Sequence, residues 1–197
     1  MCVGMVSHAL QCWQREAQKS LDEIERAHQA VGGAGRGRRH ATQQINQAYV
    51  VLLSSQFQRF CRDLHSEAVD YLTTDPNPNP RYTLLRIRLT EGRKLDSGNP
   101  NPSNLGSDFG RFQMEFWKEV LKLNPGQNKT RQAELESLNV WRNAIAHQDF
   151  DPAKLGGQTT VRLSAVRKWR ATCNDLAVCF DEVVKRHLSG ILGVATW

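Results

Sequence analysis

From Ala41 to Leu72 the sequence places Ile45, Ala48, Tyr49, Leu52, Leu53, Phe57, Phe60, Leu64, Ala68 and Tyr71 at steps of three and four residues. That is the period of an α-helix, about 3.6 residues per turn. The run AYVVLL, Ala48 to Leu53, is apolar all round and predicts near-complete burial in the middle of the helix. Such a helix is held by what packs on it rather than by its own propensity, so the rest of the chain has to supply its cover.

Other segments carry the same period. Leu10, Trp13, Ala17, Leu21, Ile24, His28 and Val31 predict a first helix from about Ser7 to Val31, ended by GGAGRGRRH, Gly32 to His40. Ser107 or Asp108 is a candidate cap for a helix carrying Phe109, Phe112, Phe116, Trp117, Val120 and Leu121, stopped by NPG at Asn124–Gly126. A further helix is expected from about Thr130 to Gln148, followed by the loop DPAKLGG, Asp151 to Gly157. Ser164 is the candidate cap of the last helix, with the seam Val166, Trp169, Cys173, Leu176, Phe180, Val183 and His187. The Asn–Pro stretches DPNPNP, Asp75–Pro80, and GNPNP, Gly98–Pro102, disfavour helix at each Asn and punctuate loops. Between them LRIRLT alternates apolar and charged residues, which suits a short strand, an extended arm or a short helix. The sum is an all-α fold: one domain over residues 1–197, a bundle of about five helices with a Gly/Asn/Pro-rich irregular insertion at about 74–106.

Composition narrows the function classes. The 197 residues are 40% hydrophobic and 23% charged, ordinary for a globular chain with a sizeable core. The net charge of +6 favours a polyanionic partner such as nucleic acid. Its basic residues are scattered, the tightest groups being RGRR at Arg36–Arg39, RIR at Arg86–Arg88 and VRKWR near Trp169. No apolar run approaches the ~20 residues of a membrane-spanning helix, and the first residues lack the pattern of a signal peptide, so no membrane partner is expected. Five cysteines, an odd number without CxxC spacing, argue against a disulfide framework or structural zinc and fit a reducing cytoplasm. There is no phosphate-cradling P-loop and no GxSxG elbow, and no cofactor or metal is expected.

The stretch LNVWRNAIAHQDF, Leu138 to Phe150, sets polar residues into an apolar helix. Leu138, Trp141 and Ile145 form an apolar stripe. A second stripe reads Gln132, Glu136, Asn139, Asn143, His147, at spacings that keep one face. Arg142 stands between the two, about 140° from His147 around the axis. Solvated faces are usually built of Lys, Glu and Arg. A stripe of amides and an imidazole suits a semi-buried site, although a structural pairing of Arg142 and His147 with acidic residues fits the pattern too.

RNAIAH, Arg142 to His147, resembles the signature of the HEPN superfamily, Arg-x4–6-His with a polar residue directly after the Arg. VVLLSSQFQRFCRDL, LTEGRKLDSGNPNPSNLGSDFGRF and WRNAIAHQDF are similar to the RiboL-PSP-like branch of that superfamily, and the resembling segments span most of residues 45–190. The resemblance implies an all-α domain with metal-independent endoribonuclease activity. It also implies a homodimer whose two motifs face each other in a cleft, and a toxin or antiviral defence role beside an antitoxin or other regulatory protein. Some HEPN toxins carry a Tyr two residues after the His, which a nucleotidyltransferase antitoxin modifies. Here that position is Asp149, followed by Phe150, so the resemblance does not carry that control over.

The chemistry of the residues agrees with this. RNA brings its own nucleophile, the 2′-OH beside the scissile phosphate. The imidazole of His147 suits a general acid or base. Arg142 offers a fixed charge and a planar fork for phosphate oxygens. Asn143 can orient His147 or donate to the phosphate. Glu136 and Asn139, further back on the stripe, are candidate supporting residues. The alternatives are a HEPN-fold module that binds RNA or protein without cutting, and a scaffold whose polar stripe sets dimer register. Elsewhere, Cys61 and His65 share a helix face but sit among Phe57, Phe60 and Leu64, which favours a core pair over a metal or thiolate site. Arg36, Arg38 and Arg39 suit a flexible connector better than an RNA contact. Trp13, Trp117, Trp141 and Trp169 fall on apolar positions and read as core.

Overall fold

The apolar run becomes a helix over Arg38–Thr73, α3, and the other long helices lie against it in the computed structural model. Residues 6–32, 38–74 and 79–197 are described, without the side chains of Arg38 and Arg39. The proposed connector GGAGRGRRH therefore lies largely outside the described residues. The flanking helices are α1, His8–Cys12, and α2, Gln18–Val31, joined through a π-helical turn at Trp13–Ala17 into one rod. After α3 come α4, Pro80–Thr90; α5, Pro102–Phe109; α6, Phe116–Leu123; α7, Pro125–His147; and α8, Leu163–Leu192. Among the described residues no strand forms, so the all-α expectation holds.

Tyr49, Val50, Leu53, Phe57, Cys61, Leu64 and Ala68 of α3 are all fully buried. Tyr49, Leu53, Phe57, Leu64 and Ala68 match the predicted seam, but Ala48, Val51 and Tyr71 are exposed, so the near-complete burial expected of AYVVLL is corrected: one flank of the helix faces outward. An aromatic chain crosses the core from the π turn to α5. Trp13 meets Phe57 at 5.6 Å, Phe57 meets Phe180 at 5.9 Å, Phe180 meets Phe116 at 4.8 Å, and Phe116 stacks on Phe109 at 4.4 Å. Truncating a ring of this kind to Ala costs about 3–5 kcal/mol. The first helix starts at Ser7 as the sequence suggests: Ser7 Oγ accepts from Leu10 N–H at 3.0 Å. Glu67 on α3 takes the next two free donors, His8 N–H at 2.9 Å and Ala9 N–H at 3.0 Å.

The stretch expected to be irregular, about 74–106, carries two helices, α4 and α5. LRIRLT lies within α4, which settles its three readings as helix. The Asn–Pro pairs explain why. Asn79, Asn101 and Asn124 each have a backbone outside the helical region, as a residue before Pro prefers. Each side chain then accepts from a backbone N–H of the helix that follows: Arg81 at 3.0 Å, Asn104 at 2.8 Å and Gln127 at 3.3 Å. Pro fills the first helical position, where its missing N–H costs nothing. Three of the four Asn–Pro pairs within the described residues are thus helix starts rather than loop punctuation. The end of α4 is held by Arg111, whose guanidinium donates to Glu91 O at 2.6 Å and Gly92 O at 2.8 Å.

None of the three proposed caps in the second half, Ser107, Asp108 and Ser164, starts the helix expected of it; Ser107 lies inside α5. Asp108 is fully buried near the end of α5, and its carboxylate accepts from Lys94 N–H at 2.9 Å and Leu95 N–H at 2.8 Å, closing a 3-10 turn at Lys94–Asp96. The helix expected from there through Leu121 is divided. A 3-10 turn at Gly110–Phe112 and Gln113 at φ 59° separate α5 from α6. Ser164 lies inside α8, whose cap position is Arg162 and carries no side-chain cap bond.

Candidate active site

Asn124 and Pro125 start α7, and its stripe Leu135, Leu138, Trp141, Ala144 and Ile145 is buried, with α3 and α8 as its main neighbours. This packing fixes the orientation of the residues between. The helix ends where Gln148 turns left-handed at φ 54°. Gln148 N–H then bonds Ile145 O at 3.3 Å and Asp149 N–H bonds Ala144 O at 2.9 Å. This paired closure is a Schellman motif, which satisfies the last carbonyls and reverses the chain. Asp151 organises the returning loop: its Oδ1 accepts from Ala153 N–H at 2.9 Å, and its carbonyl accepts from Leu155 N–H at 3.2 Å. Leu155 is buried and pins the loop beside the last turn of α7.

The result is an open pocket of about 270 Å³. Val140, Ala144 and Leu155 form its apolar floor; Asn143, His147, Asp149 and Lys154 form its polar rim. His147 is exposed, and its side chain makes no hydrogen bond among the described residues. Lys154 Nζ donates to Asp149 Oδ2 at 2.8 Å. That hydrogen bond, then the lysine charge, and less strongly the nearby His147, hold the Asp149 carboxyl below the usual carboxylate range. The same pairing raises the Lys154 ammonium above its ordinary value.

Arg142 does not line this pocket. It is half-buried on the neighbouring flank, and its Nη1 donates to Asn143 Oδ1 at 3.3 Å. Among the described residues no carboxylate pairs with it. Asn99, from the GNPNP segment, donates its Nδ2 to the same Asn143 oxygen at 2.5 Å. Both donors occupy Oδ1, which leaves the Asn143 Nδ2 donor for a ligand.

The family model RiboL-PSP-HEPN matches residues 15–186. The chain belongs to the RiboL-PSP-HEPN family. Neither a curated protein nor a solved structure gives a significant match.

The stripe of this HEPN chain is less uniform than its spacing suggests. Asn143 and His147 share the pocket as expected. Asn139 is 2% exposed, and its Nδ2 donates to Leu135 O at 2.8 Å and Pro100 O at 3.3 Å, while its Oδ1 is buried without a partner. The Asn–Pro segment therefore covers Asn139 with the backbone at Pro100, and Asn139 does not line the pocket that holds His147. Glu136 is exposed, but eleven residues from His147, roughly 16 Å along the axis, so within one chain it does not reach the imidazole.

Asn99 and Lys154 are the site neighbours that local pattern missed. The Asp151–Pro152 turn four residues after His147 signals that the chain folds back, but not which side chain it delivers. Among the described residues no group of three or more His, Cys, Asp or Glu side chains is placed to hold a metal ion, and no helix is long and apolar enough to cross a membrane. Cys61 and His65 are fully buried core residues, as their surroundings suggest. His65 Nε2 donates to Asp108 O at 3.1 Å, its Nδ1 accepts from Arg93 at 3.4 Å, and burial followed by the Arg93 charge pushes its pKa down to about 3.

Proposed function

We propose that this HEPN chain is an endoribonuclease that cuts RNA by attack of the substrate's own 2′-OH, without a metal. The observation that carries the reading is the pocket at the end of α7. It is lined by an imidazole, His147, and by an amide, Asn143, that is hydrogen-bonded to a guanidinium unpaired with any carboxylate among the described residues. In this mechanism His147 moves a proton to or from the reacting oxygens. Arg142 and the free Asn143 donor stabilise the charge growing on the phosphorane. A structural role for Arg142 would leave it bound to an acidic side chain; that no carboxylate pairs with it among the described residues supports the catalytic reading.

Arg142 lies outside the pocket that holds His147, and this favours a homodimer in which each pocket borrows the guanidinium of the other copy. Family membership supports a role as a toxin or antiviral defence effector, kept in check by an antitoxin or other regulatory protein. Four unpaired cysteines among the described residues suit a cytoplasmic setting.

The experiment is cleavage of RNA by the purified protein, with Arg142→Ala and His147→Ala beside it and circular dichroism to check the fold. Each variant should keep its helices and lose roughly a hundredfold or more in rate. Folded variants that cleave at the wild-type rate would remove the assignment. A wild type that binds RNA through Arg142 and leaves it intact would make the protein a binding module.

A further inference from the structure

We infer that Lys154 is a phosphate-binding residue of the His147 pocket, the cation that this chain supplies to its own site. The inference rests on the ribonuclease reading above and adds a residue outside the Arg142–His147 motif. Arg142 is off the pocket, whereas Lys154 lines it together with Asn143 and His147. Three kinds of donor therefore converge on one open space: an imidazole, a neutral amide and an ammonium. A phosphodiester needs such a set, and an ammonium serves it as a point charge.

A purely structural role for Lys154 explains less. Its partner Asp149 is exposed, and so is the lysine itself, with side chains 55% and 63% accessible. Exposed pairs of this kind contribute little to stability. The loop has other anchors: the Asp151 bonds, Gly157 N–H to Pro152 O at 2.8 Å, and buried Leu155. Gly156 and Gly157 have positive φ, 61° and 81°, which lets the loop close tightly behind Lys154. Asp149 instead positions the ammonium. It takes one of the three N–H donors, and Asp151 at 4.0 Å is beyond hydrogen-bond reach, so two donors remain for phosphate oxygens. The carboxylate holds the lysine in the pocket that His147 lines before substrate arrives, and the arriving phosphate completes the ammonium's hydrogen bonds.

The test measures steady-state cleavage of a single-stranded RNA. In parallel it measures binding of the same sequence made fully 2′-O-methyl, which resists 2′-OH attack. Wild type, Lys154→Ala, Lys154→Gln and Lys154→Arg are compared across a salt series. The Ala and Gln variants should raise KM and the dissociation constant about tenfold, with kcat within about threefold. The slope of log affinity against log salt should fall by about 0.7, the loss of one phosphate contact on a single strand. Lys154→Arg should restore most of the affinity and the slope. If wild type cleaves and the Ala and Gln variants match it in KM and salt slope, this inference fails and the ribonuclease reading stands. If wild type does not cleave, both fail.

Discussion

Asn99 holds Asn143: the side-chain amide of a loop residue donates to the oxygen of the motif amide at 2.5 Å. The bond links GNPNP to the C-terminal end of α7 across 44 positions of sequence. It also decides which end of the Asn143 amide is free, because Arg142 donates to the same oxygen. Asn99→Ala should leave the helices intact and slow RNA cleavage roughly tenfold to a hundredfold, since small losses of alignment at a reacting phosphate are costly. A kinetic comparison with wild type, at equal circular dichroism, checks it. Wild-type kinetics in Asn99→Ala would mean that Asn143 needs no second donor.

Gly98 sets where Asn99 stands. A Cβ at position 98 would lie 2.9 Å from Asn104 Nδ2 and 3.0 Å from Lys94 O. Asn104 Nδ2 is also the donor that fixes Asn99 O, at 2.8 Å. Gly98→Ala should therefore displace the segment, lower stability by about 1–3 kcal/mol and reduce cleavage along with it. Urea unfolding and the cleavage rate of the same preparation report the two effects.

Much of this architecture could be read from residue spacing, and the failures have a common physical cause. Most of the α3 seam, the extent of the first helix and the end of α7 follow from local periodicity, whereas the π turn at Trp13–Ala17 does not. The polar stripe correctly joined Asn143 to His147, because residues four apart share a helix face whatever surrounds them. Asn139 lies on the same stripe yet is buried under Pro100, since what covers a face depends on a segment far away in sequence. Asp108 looked like a cap because acidic residues suit helix starts, but its partners are Lys94 and Leu95 of a preceding turn. The Asn–Pro pairs were misjudged differently. The local signal was present, and Asn followed by Pro also fits a cap with a first-turn proline.

Stability should fall in mild acid because of His65. Its pKa is about 3 when folded, against 6.5 for an unperturbed imidazole, so below pH 6.5 the unfolded chain takes up a proton that the folded chain refuses. The contribution is complete above 6.5 and is lost progressively as pH falls toward 3, at a rate approaching about 1.4 kcal/mol per pH unit. His65→Gln keeps a donor for Asp108 O and does not titrate. Between pH 6.5 and 4 its unfolding free energy should change less steeply than that of wild type by up to one proton. Equal slopes would show that His65 does not drive the loss.

Two inactive variants should repair each other if the site is shared between copies. In a mixed dimer of Arg142→Ala with His147→Ala, one pocket combines His147 of the first chain with Arg142 of the second. Co-refolded mixtures should recover a sizeable fraction of wild-type turnover, while either variant alone stays inactive. No recovery, in mixtures shown to contain the mixed dimer, would place Arg142 and His147 of one chain on the same phosphate.

The most direct measurement is of the ends that cleavage leaves, made in excess chelator with wild type and His147→Ala side by side. The expected result is an unchanged wild-type rate, a 2′,3′-cyclic phosphate on one fragment and a 5′-OH on the other, with His147→Ala slower by roughly a hundredfold or more. Cleavage that stops in chelator and returns with magnesium or manganese, or that continues at full rate without the imidazole of His147, would contradict it.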